Sequence, residues 1–210
     1  MKYALTAVTR TVLVMSAVAL VGCTSGASVV VTTSVPTPLV EPIPVNMGVH
    51  YDTALTTYVH EEDLDYFGKY RIEIGASQIP VFNQVFAAMF DSVTRVDSIT
   101  GHGHDVDAVL KPTLEQLQFS IPQQTRSDFY EVWISYTIEL YDPTGELIVA
   151  VPLKAYGKSN SKNFGFMEKV KEPALNEATI WALRDAAASL SFYFRHVPEI
   201  ATWLKQEPGS

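Results

Sequence analysis

Residues 131–157, "EVWISYTIELYDPTGELIVAVPLKAYG", carry the strongest structural signal in the chain. The first eleven residues alternate with the period of two that a β-strand requires. Aromatic residues such as Trp133 and Tyr141 occupy the second face, so the pattern predicts a central strand. "DPTGE" (142–146) has proline and glycine where a tight turn needs them, which predicts a hairpin. Pro152 has no amide proton, so we expect the returning strand to be an edge strand or to be bulged there.

Two helices flank this region in the sequence. The first is predicted with Ser77 as its N-cap and Pro80 in its first turn. Its apolar residues recur every three or four positions, namely Phe82, Val85, Phe86, Met89, Phe90 and Val93. The second starts near Pro173 and repeats apolar residues at the helical period, namely Leu175, Ile180, Leu183, Ala187, Leu190 and Phe194. A short terminal helix is predicted over residues 198–205.

The remaining strands are predicted from shorter apolar runs. Segments "NMGVHYD" and "ALTTYVHEE" are typical of short strands, and residues 107–119 form a longer one. The apolar phase of the longer strand slips between Leu114 and Leu117, which predicts a bulge or kink near Pro112. The order of elements predicts an α+β fold, with an antiparallel or mixed sheet and two main helices packed on it.

The N-terminal residues have the order of a secretory signal. Lys2 and Arg10 supply positive charge, and residues 11–21 form an uncharged apolar run that is too short to span a bilayer. The segment "LVGC" that ends at Cys23 resembles the lipobox of bacterial lipoproteins. The resemblance implies that residues 1–22 are a signal peptide and that Cys23 is the lipidation site.

Cys23 is also the single cysteine of the chain. Its alternatives are a buried small hydrophobic residue or a reactive thiol, but a reactive thiol needs electropositive surroundings that the nearby sequence does not provide. In the lipoproteins that the lipobox resembles, an aspartate after the lipidated cysteine favours retention in the inner membrane. Thr24 stands there instead, so the resemblance implies the outer membrane, with the protein on its periplasmic face.

Residues 23–46 follow with a composition rich in Ser, Thr, Val and Pro. Pro36, Pro38, Pro42 and Pro44 favour an extended backbone, which predicts a tether between the lipid and the folded domain. Such a tether extends by about 3.1 Å per residue and reaches several tens of ångströms. The alternative is an edge strand laid along the domain, which the three valines at 29–31 allow. A single periplasmic domain is then expected over residues 47–210.

The charge of the chain limits its partners. The formal net charge is −8, and removal of Lys2 and Arg10 with the signal lowers it to −10. This negative charge disfavours a nucleic-acid partner and an anionic headgroup surface. The sequence contains no pattern that indicates a cofactor. The expected contacts are therefore the membrane, through the lipid on Cys23, and an envelope protein.

The segment "GHGHDVD" is a weak candidate for a metal site. His102 and His104 alternate, so both point to one side of an extended segment, and Asp105 or Asp107 supplies an oxygen ligand. The spacing is unspecific, and the flanking glycines are equally typical of a solvated loop.

A second acidic stretch, "HEEDLDYFGKY", brings Glu61, Glu62, Asp63 and Asp65 together. Two carboxylates are able to act as general acid and base, yet a charge run of this kind is usually a solvated face. The chain has no G-x-S-x-G motif and no glycine loop for phosphate. We therefore predict that the protein is not an enzyme.

The lipobox, the proline-containing segment and one α+β domain together resemble the small uncharacterised lipoproteins of Gram-negative bacteria. The order of elements is also similar to that of periplasmic accessory lipoproteins of envelope transporters and assembly machines. The anchor, the tether and the missing catalytic pattern predict a non-enzymatic binding or accessory subunit of an envelope transport or assembly complex. The alternatives are a binder of a small ligand, a lipid or a metal, held between the 131–141 strand and the first helix, and a metal-dependent periplasmic hydrolase.

Overall fold

A long antiparallel hairpin forms one edge of the larger sheet. The computed structural model describes residues 26–101, 105–165 and 170–205. Within these residues the strands are β1 (Ala27–Val30), β2 (Ile43–Val49), β3 (Val59–Asp63), β4 (Lys69–Glu73), β5 (Phe90–Arg95), β6 (Ala108–Ser120), β7 (Phe129–Tyr141) and β8 (Leu147–Asn160). The helices are α1 (Thr53–Thr56), α2 (Gly75–Met89), α3 (Pro122–Thr125), α4 (Lys171–Tyr193) and α5 (Pro198–Leu204).

The strands form two sheets. The larger has the order β5-β2-β6-β7-β8, in which β2 is parallel to both of its neighbours and the other pairs are antiparallel. The smaller has the order β1-β4-β3, with β1 parallel to β4. The predicted α+β class, with a mixed sheet and two main helices packed on it, is confirmed.

Strand β7 is central, as its alternation predicts. Its even-numbered side chains from Tyr130 to Leu140 are buried and face helices α2 and α4, whereas the odd-numbered side chains lie on the outer face of the sheet. Strand β8 is the edge, as Pro152 predicts. The register slip predicted in β6 is present as a bulge, because Leu114 pairs with Tyr136 and Gln116 pairs with the adjacent Ser135.

The bulge lies after Pro112 rather than at it. Pro112 is paired in regular register with Ile138, so the proline fits the strand and the extra residue is Glu115. An exposed glutamate at the bulge lets both flanking apolar stretches of β6 face the core.

Two local predictions are wrong. Helix α2 begins at Gly75 with Ile74 as its N-cap, and the Ser77 hydroxyl donates to the Ile74 carbonyl at 2.9 Å instead of capping the helix. The helix also ends at Met89, so Phe90 belongs to β5 and not to the helical stripe.

The predicted strand "ALTTYVHEE" is divided between a helix and a strand. The carboxylate of Asp52 accepts the Leu55 backbone N–H at 2.8 Å and caps the short helix α1. Strand β3 then begins at Val59. The Asp52 cap therefore favours a helix at residues 53–56, where the sequence pattern predicts a strand.

The predicted tether is wrong for the described part of residues 23–46. Strand β1 pairs with β4, which aligns Ala27 with Tyr70, and β2 already begins at Ile43. Between them Val31 and Val35 are 4% exposed, because their side chains join the hydrophobic core. The alternative, a strand laid along the domain, is the conformation observed. We call residues 31–42, which connect β1 to β2, the proline strap.

Helix α4 lies directly on the edge hairpin. A Cβ atom at Gly157 of β8 would overlap the Ala178 carbonyl oxygen and the Ala182 amide nitrogen of α4. Only glycine allows this approach of the two backbones. The position of the whole helix on the sheet therefore depends on one residue of β8.

Candidate functional site

A large apolar groove opens on the side of the domain where α4 is not covered by the sheet. It has a volume of about 1020 Å³ and three boundaries. Its floor is the outward face of α4 from Trp181 to Phe192, one wall is the proline strap, and the other is β8 at residues 156–158. We call this feature the α4 groove.

The floor of the groove is a second apolar stripe on α4. The helix buries its first stripe against the sheet, with Leu175, Leu183 and Leu190 among its residues. On the opposite side Trp181 is 47% exposed and Phe192 is 64% exposed, and the exposed Ala188 lies between them. The outer face of an amphipathic helix is normally polar, so large exposed aromatic side chains on that face indicate an interaction surface.

The strap wall is held by a small number of polar contacts. The Gln84 side chain donates to the Thr37 hydroxyl at 3.1 Å, and the Arg195 guanidinium donates to the Glu41 carbonyl. Leu39, near the middle of the strap, is fully exposed at the rim of the groove. The strap therefore adds an exposed apolar side chain to the aromatic residues of the floor.

The β8 wall does not offer a free sheet edge. The outward N–H of Tyr156 already donates to the Asp185 carboxylate at 2.9 Å. Pro152 lies four residues earlier in the same register, so its missing N–H is also on the outward side. Lys154 and Lys158 occupy the positions beside Tyr156, and charged residues at an edge oppose strand addition. A partner would therefore contact side chains in the groove rather than extend the sheet.

Arg184 is the main cationic group of the groove. Its guanidinium lies 5.1 Å from the centroid of the Trp181 ring, a cation–π contact. It also donates to the Ser34 carbonyl at 3.5 Å, whereas its Nε is buried without a hydrogen-bond partner among the described residues. Arg184 thus links the helix to the strap and holds the indole in place.

The outer face of the large sheet carries a separate aromatic pair. The rings of Trp133 and Tyr156 lie 5.4 Å apart, and the Tyr156 hydroxyl donates to Glu131 at 2.5 Å. Burial, together with the hydrogen bond to this carboxylate, raises the pKa of Tyr156 to about 12. Tyr156 is therefore a neutral donor at physiological pH, and it connects this pair to the groove wall.

The interior site predicted for a small ligand is filled by the protein. Phe82 packs edge-on against Tyr136 with ring centroids 5.4 Å apart, and it stacks on Phe86 at 5.7 Å. The Tyr136 hydroxyl donates to Gln78 at 2.7 Å, and Gln78 donates to the Leu55 carbonyl at 3.0 Å. The aromatic residues that suggested a ligand site are core residues.

Only the acidic members of the candidate metal site lie within the described residues. His102 and His104 lie outside the described residues, and Asp105 is exposed. The Asp107 carboxylate accepts the backbone N–H of Asn46 at 2.7 Å, so it fixes the start of β6 beside β2. In residues 26–101, 105–165 and 170–205, no three histidine, cysteine or acidic side chains are grouped in a way that suits a metal.

The acidic stretch lies on the exposed face of the small sheet. Arg71 of β4 donates to Glu61 at 2.9 Å and also pairs with Glu73, and His60 lies 3.3 Å from Glu62. The Arg71–Glu61 pair joins β4 to β3, and the other two contacts lie within one strand; exposed contacts of this kind contribute little to stability. The arrangement is that of a solvated sheet face.

The predicted anchor cannot be located in the same way. Cys23 and the signal residues 1–22 lie outside the described residues. In the part of the chain that is described, no helix is both long enough and apolar enough to cross a membrane.

Comparison with solved structures shows a known fold. The chain is similar to protein XCC0632 from Xanthomonas campestris, of family model DUF330, with a TM-score of 0.50 and 10% identity over 80% of this chain and 92% of that chain. It also matches a protein described as a "putative lipoprotein" from Caulobacter crescentus CB15, with a TM-score of 0.40 and 13% identity over 63% of this chain and 85% of that one. The first likeness shows a shared fold, and the second is too distant to add to it.

The amino-acid sequence gives no further relatives. Neither the comparison with protein-family models nor the comparison with curated proteins finds a significant match.

Proposed function

We propose that the mature chain is a lipoprotein anchored at Cys23 to the periplasmic face of the outer membrane, where its domain is a non-enzymatic accessory subunit of an envelope transport or assembly complex. The α4 groove is the observation that supports this proposal. Trp181, Phe192 and Leu39 form one exposed apolar surface around it. Aromatic side chains of this kind carry a large share of the free energy of protein–protein binding.

The proposed partner is an envelope protein with an apolar segment that enters the groove. The floor from Trp181 to Phe192 consists of twelve helical residues and is about 16 Å long at the rise of an α-helix. A segment of two to three helical turns matches that length. The proposal includes no catalytic step, because the acidic stretch forms exposed ion pairs and the interior pocket is filled.

Loss of the two groove aromatics is expected to abolish partner capture. Truncation of one central interface aromatic costs about 2 kcal/mol or more of binding free energy, and about 1.4 kcal/mol corresponds to a tenfold change in the dissociation constant. Trp181→Ala together with Phe192→Ala should therefore weaken binding far more than tenfold. The measurement is photo-crosslinking in intact cells from a benzoylphenylalanine at position 188, on the groove floor, with and without the two substitutions. We expect one defined adduct that the double variant loses.

Leu147→Ala is the matched control for this experiment. Leu147 is 48% exposed, close to the exposure of Trp181, and it lies at the start of β8, outside the residues that line the groove. Its substitution should leave the adduct unchanged. Equal loss of the adduct in the control, or no adduct at all from position 188, would count against the groove as the partner site.

A further inference from the structure

The small sheet places two exposed aromatic residues beside the point where the chain arrives from Cys23. The turn between β3 and β4, residues 64–68, carries Tyr66, which is 92% exposed, and Phe67, which is 37% exposed. The turn is closed by backbone hydrogen bonds between Leu64 and Gly68 and between Phe67 and Leu64, at 3.0 and 2.9 Å. The turn therefore presents the Tyr66 side chain on a fixed backbone.

The start of β1 lies at the same end of the sheet as this turn. Strand β1 is parallel to β4 with Ala27 opposite Tyr70, and Gly26 packs so closely on the Lys69 backbone that a Cβ would overlap it. In a parallel pair the residues before both strands project from the same edge. The chain therefore enters β1 at Gly26, at the same end of the small sheet as the 64–68 turn.

The distance from this edge to the lipid is short. Three peptide units separate Gly26 from Cys23, and an extended chain covers at most about 3.5 Å per residue, so Gly26 lies within roughly 10 Å of the lipidated residue. The polar headgroup layer on each side of a bilayer is about 5–8 Å thick. A domain held within this distance of the lipidated residue stays close to the membrane, unlike a domain on the extended tether that the sequence predicts.

The geometry points to the 64–68 turn as a membrane contact, in which Tyr66 and Phe67 enter the lipid headgroup layer beside the anchor. This inference rests on the lipidation of Cys23 in the proposed function. Tyrosine is enriched at that depth, because its ring is apolar and its hydroxyl remains hydrated. The contact orients the domain on the membrane.

The charges around the turn select the kind of surface. Asp63 precedes the turn, Asp65 lies within it and Lys69 follows it, and all three are exposed. The excess of negative charge disfavours an anionic surface. The expected surface is therefore a zwitterionic one.

This orientation leaves the α4 groove accessible. The Ser28 backbone N–H, near the start of β1, lies 3.5 Å from the Glu172 carboxylate in the first turn of α4. From Glu172 to Phe192 the helix rises about 30 Å. The groove floor occupies the half of α4 that is remote from the membrane end, where a periplasmic partner has access to it.

The single cysteine of the chain makes this orientation measurable. Acylation uses the Cys23 sulfur, so an introduced cysteine is the one reactive thiol of the acylated protein. Tyr66→Cys places an environment-sensitive fluorophore in the turn. Glu146→Cys is the matched control. Glu146 is exposed and is the last residue of the β7–β8 turn, which lies beside α5. Both labelled, lipidated proteins are bound to phosphatidylcholine vesicles that contain nitroxide-labelled lipid.

We expect the probe at position 66 to lose most of its fluorescence to the nitroxide and the probe at position 146 to keep it. Vesicle binding is measured in the same samples by sedimentation. Binding without quenching at position 66, or with equal quenching at both positions, would overturn the orientation and leave the anchor intact. No binding of the acylated protein would refute the anchor and this inference together.

Discussion

Replacement of Cys23 by serine is expected to release the protein from membranes completely. The substitution removes the sulfur to which the lipobox implies that a diacylglyceryl group is attached. Each buried methylene contributes about 0.8 kcal/mol, and two or more acyl chains give stable anchoring. The described residues contain no helix able to span a membrane in their place. Two exposed aromatic residues of the 64–68 turn are a small contribution beside the acyl chains.

The measurement is fractionation of envelopes after a salt wash, which removes proteins held by charge alone. The Cys23→Ser chain should be found in the soluble fraction and the unmodified chain in the membrane fraction. Thr24→Ser is the matched control, because it changes the neighbouring residue and keeps the cysteine. Membrane retention of the Cys23→Ser chain after the wash would show that another part of the protein holds it there.

The second large effect is expected at Gly157, where the absence of a side chain lets α4 pack directly on the backbone of β8. Gly157→Ala places a Cβ on the Ala178 carbonyl oxygen and the Ala182 nitrogen, and neither helical backbone atom is free to turn away as a side chain is. The helix has to shift as a unit. Overpacking typically lowers the free energy of unfolding by about 1–3 kcal/mol and occasionally by more. We expect a loss of at least about 3 kcal/mol for Gly157→Ala, because the added Cβ meets backbone atoms. The measurement is the free energy of unfolding from denaturant titration.

Gly48→Ala is the control for this substitution, since Gly48 also lies in a strand of the large sheet. A Cβ there would approach the Val109 Cγ2 atom at 3.2 Å, and a side chain can yield by a few tenths of an ångström. Its expected cost is about 1 kcal/mol. Equal costs for the two substitutions would contradict the close backbone contact of α4 on β8.

The sequence predicts the elements whose signals are local. The alternation in residues 131–141 predicts β7 and its central position, and the turn residues 142–146 predict its hairpin with β8. The helical repeats predict α2 and α4, because each buries a stripe against one face of the sheet. These patterns depend on neighbours that lie two to four residues apart in the chain.

The small sheet has no such local signal. Strand β1 pairs with β4, more than forty residues away, and its sequence of small and β-branched residues is also typical of an extended linker. The parallel pairing depends on the contact of Gly26 with Lys69, which only the folded chain reveals. Because β1 pairs with β4, the residues that follow it form the proline strap rather than a tether. The same pairing leaves only three peptide units between Cys23 and Gly26.

The candidate site was beyond prediction for the same reason. Trp181 and Phe192 lie outside the apolar repeat used to predict α4, so each alone is an unremarkable surface aromatic. The groove exists because the proline strap lies alongside α4 and next to β8. The sequence offered one signal for this site: Trp181 and Phe192 are eleven residues apart, which places both on one face of the predicted helix.

Mass spectrometry of the N-terminal peptide, taken from protein extracted from membranes, tests the proposed lipidation of Cys23. We expect a mature chain that begins at Cys23, with a diacylglyceryl group on the sulfur and a third acyl chain on the α-amino group. An N-terminal peptide that retains residues 1–22, or one in which Cys23 has a free thiol, would contradict it.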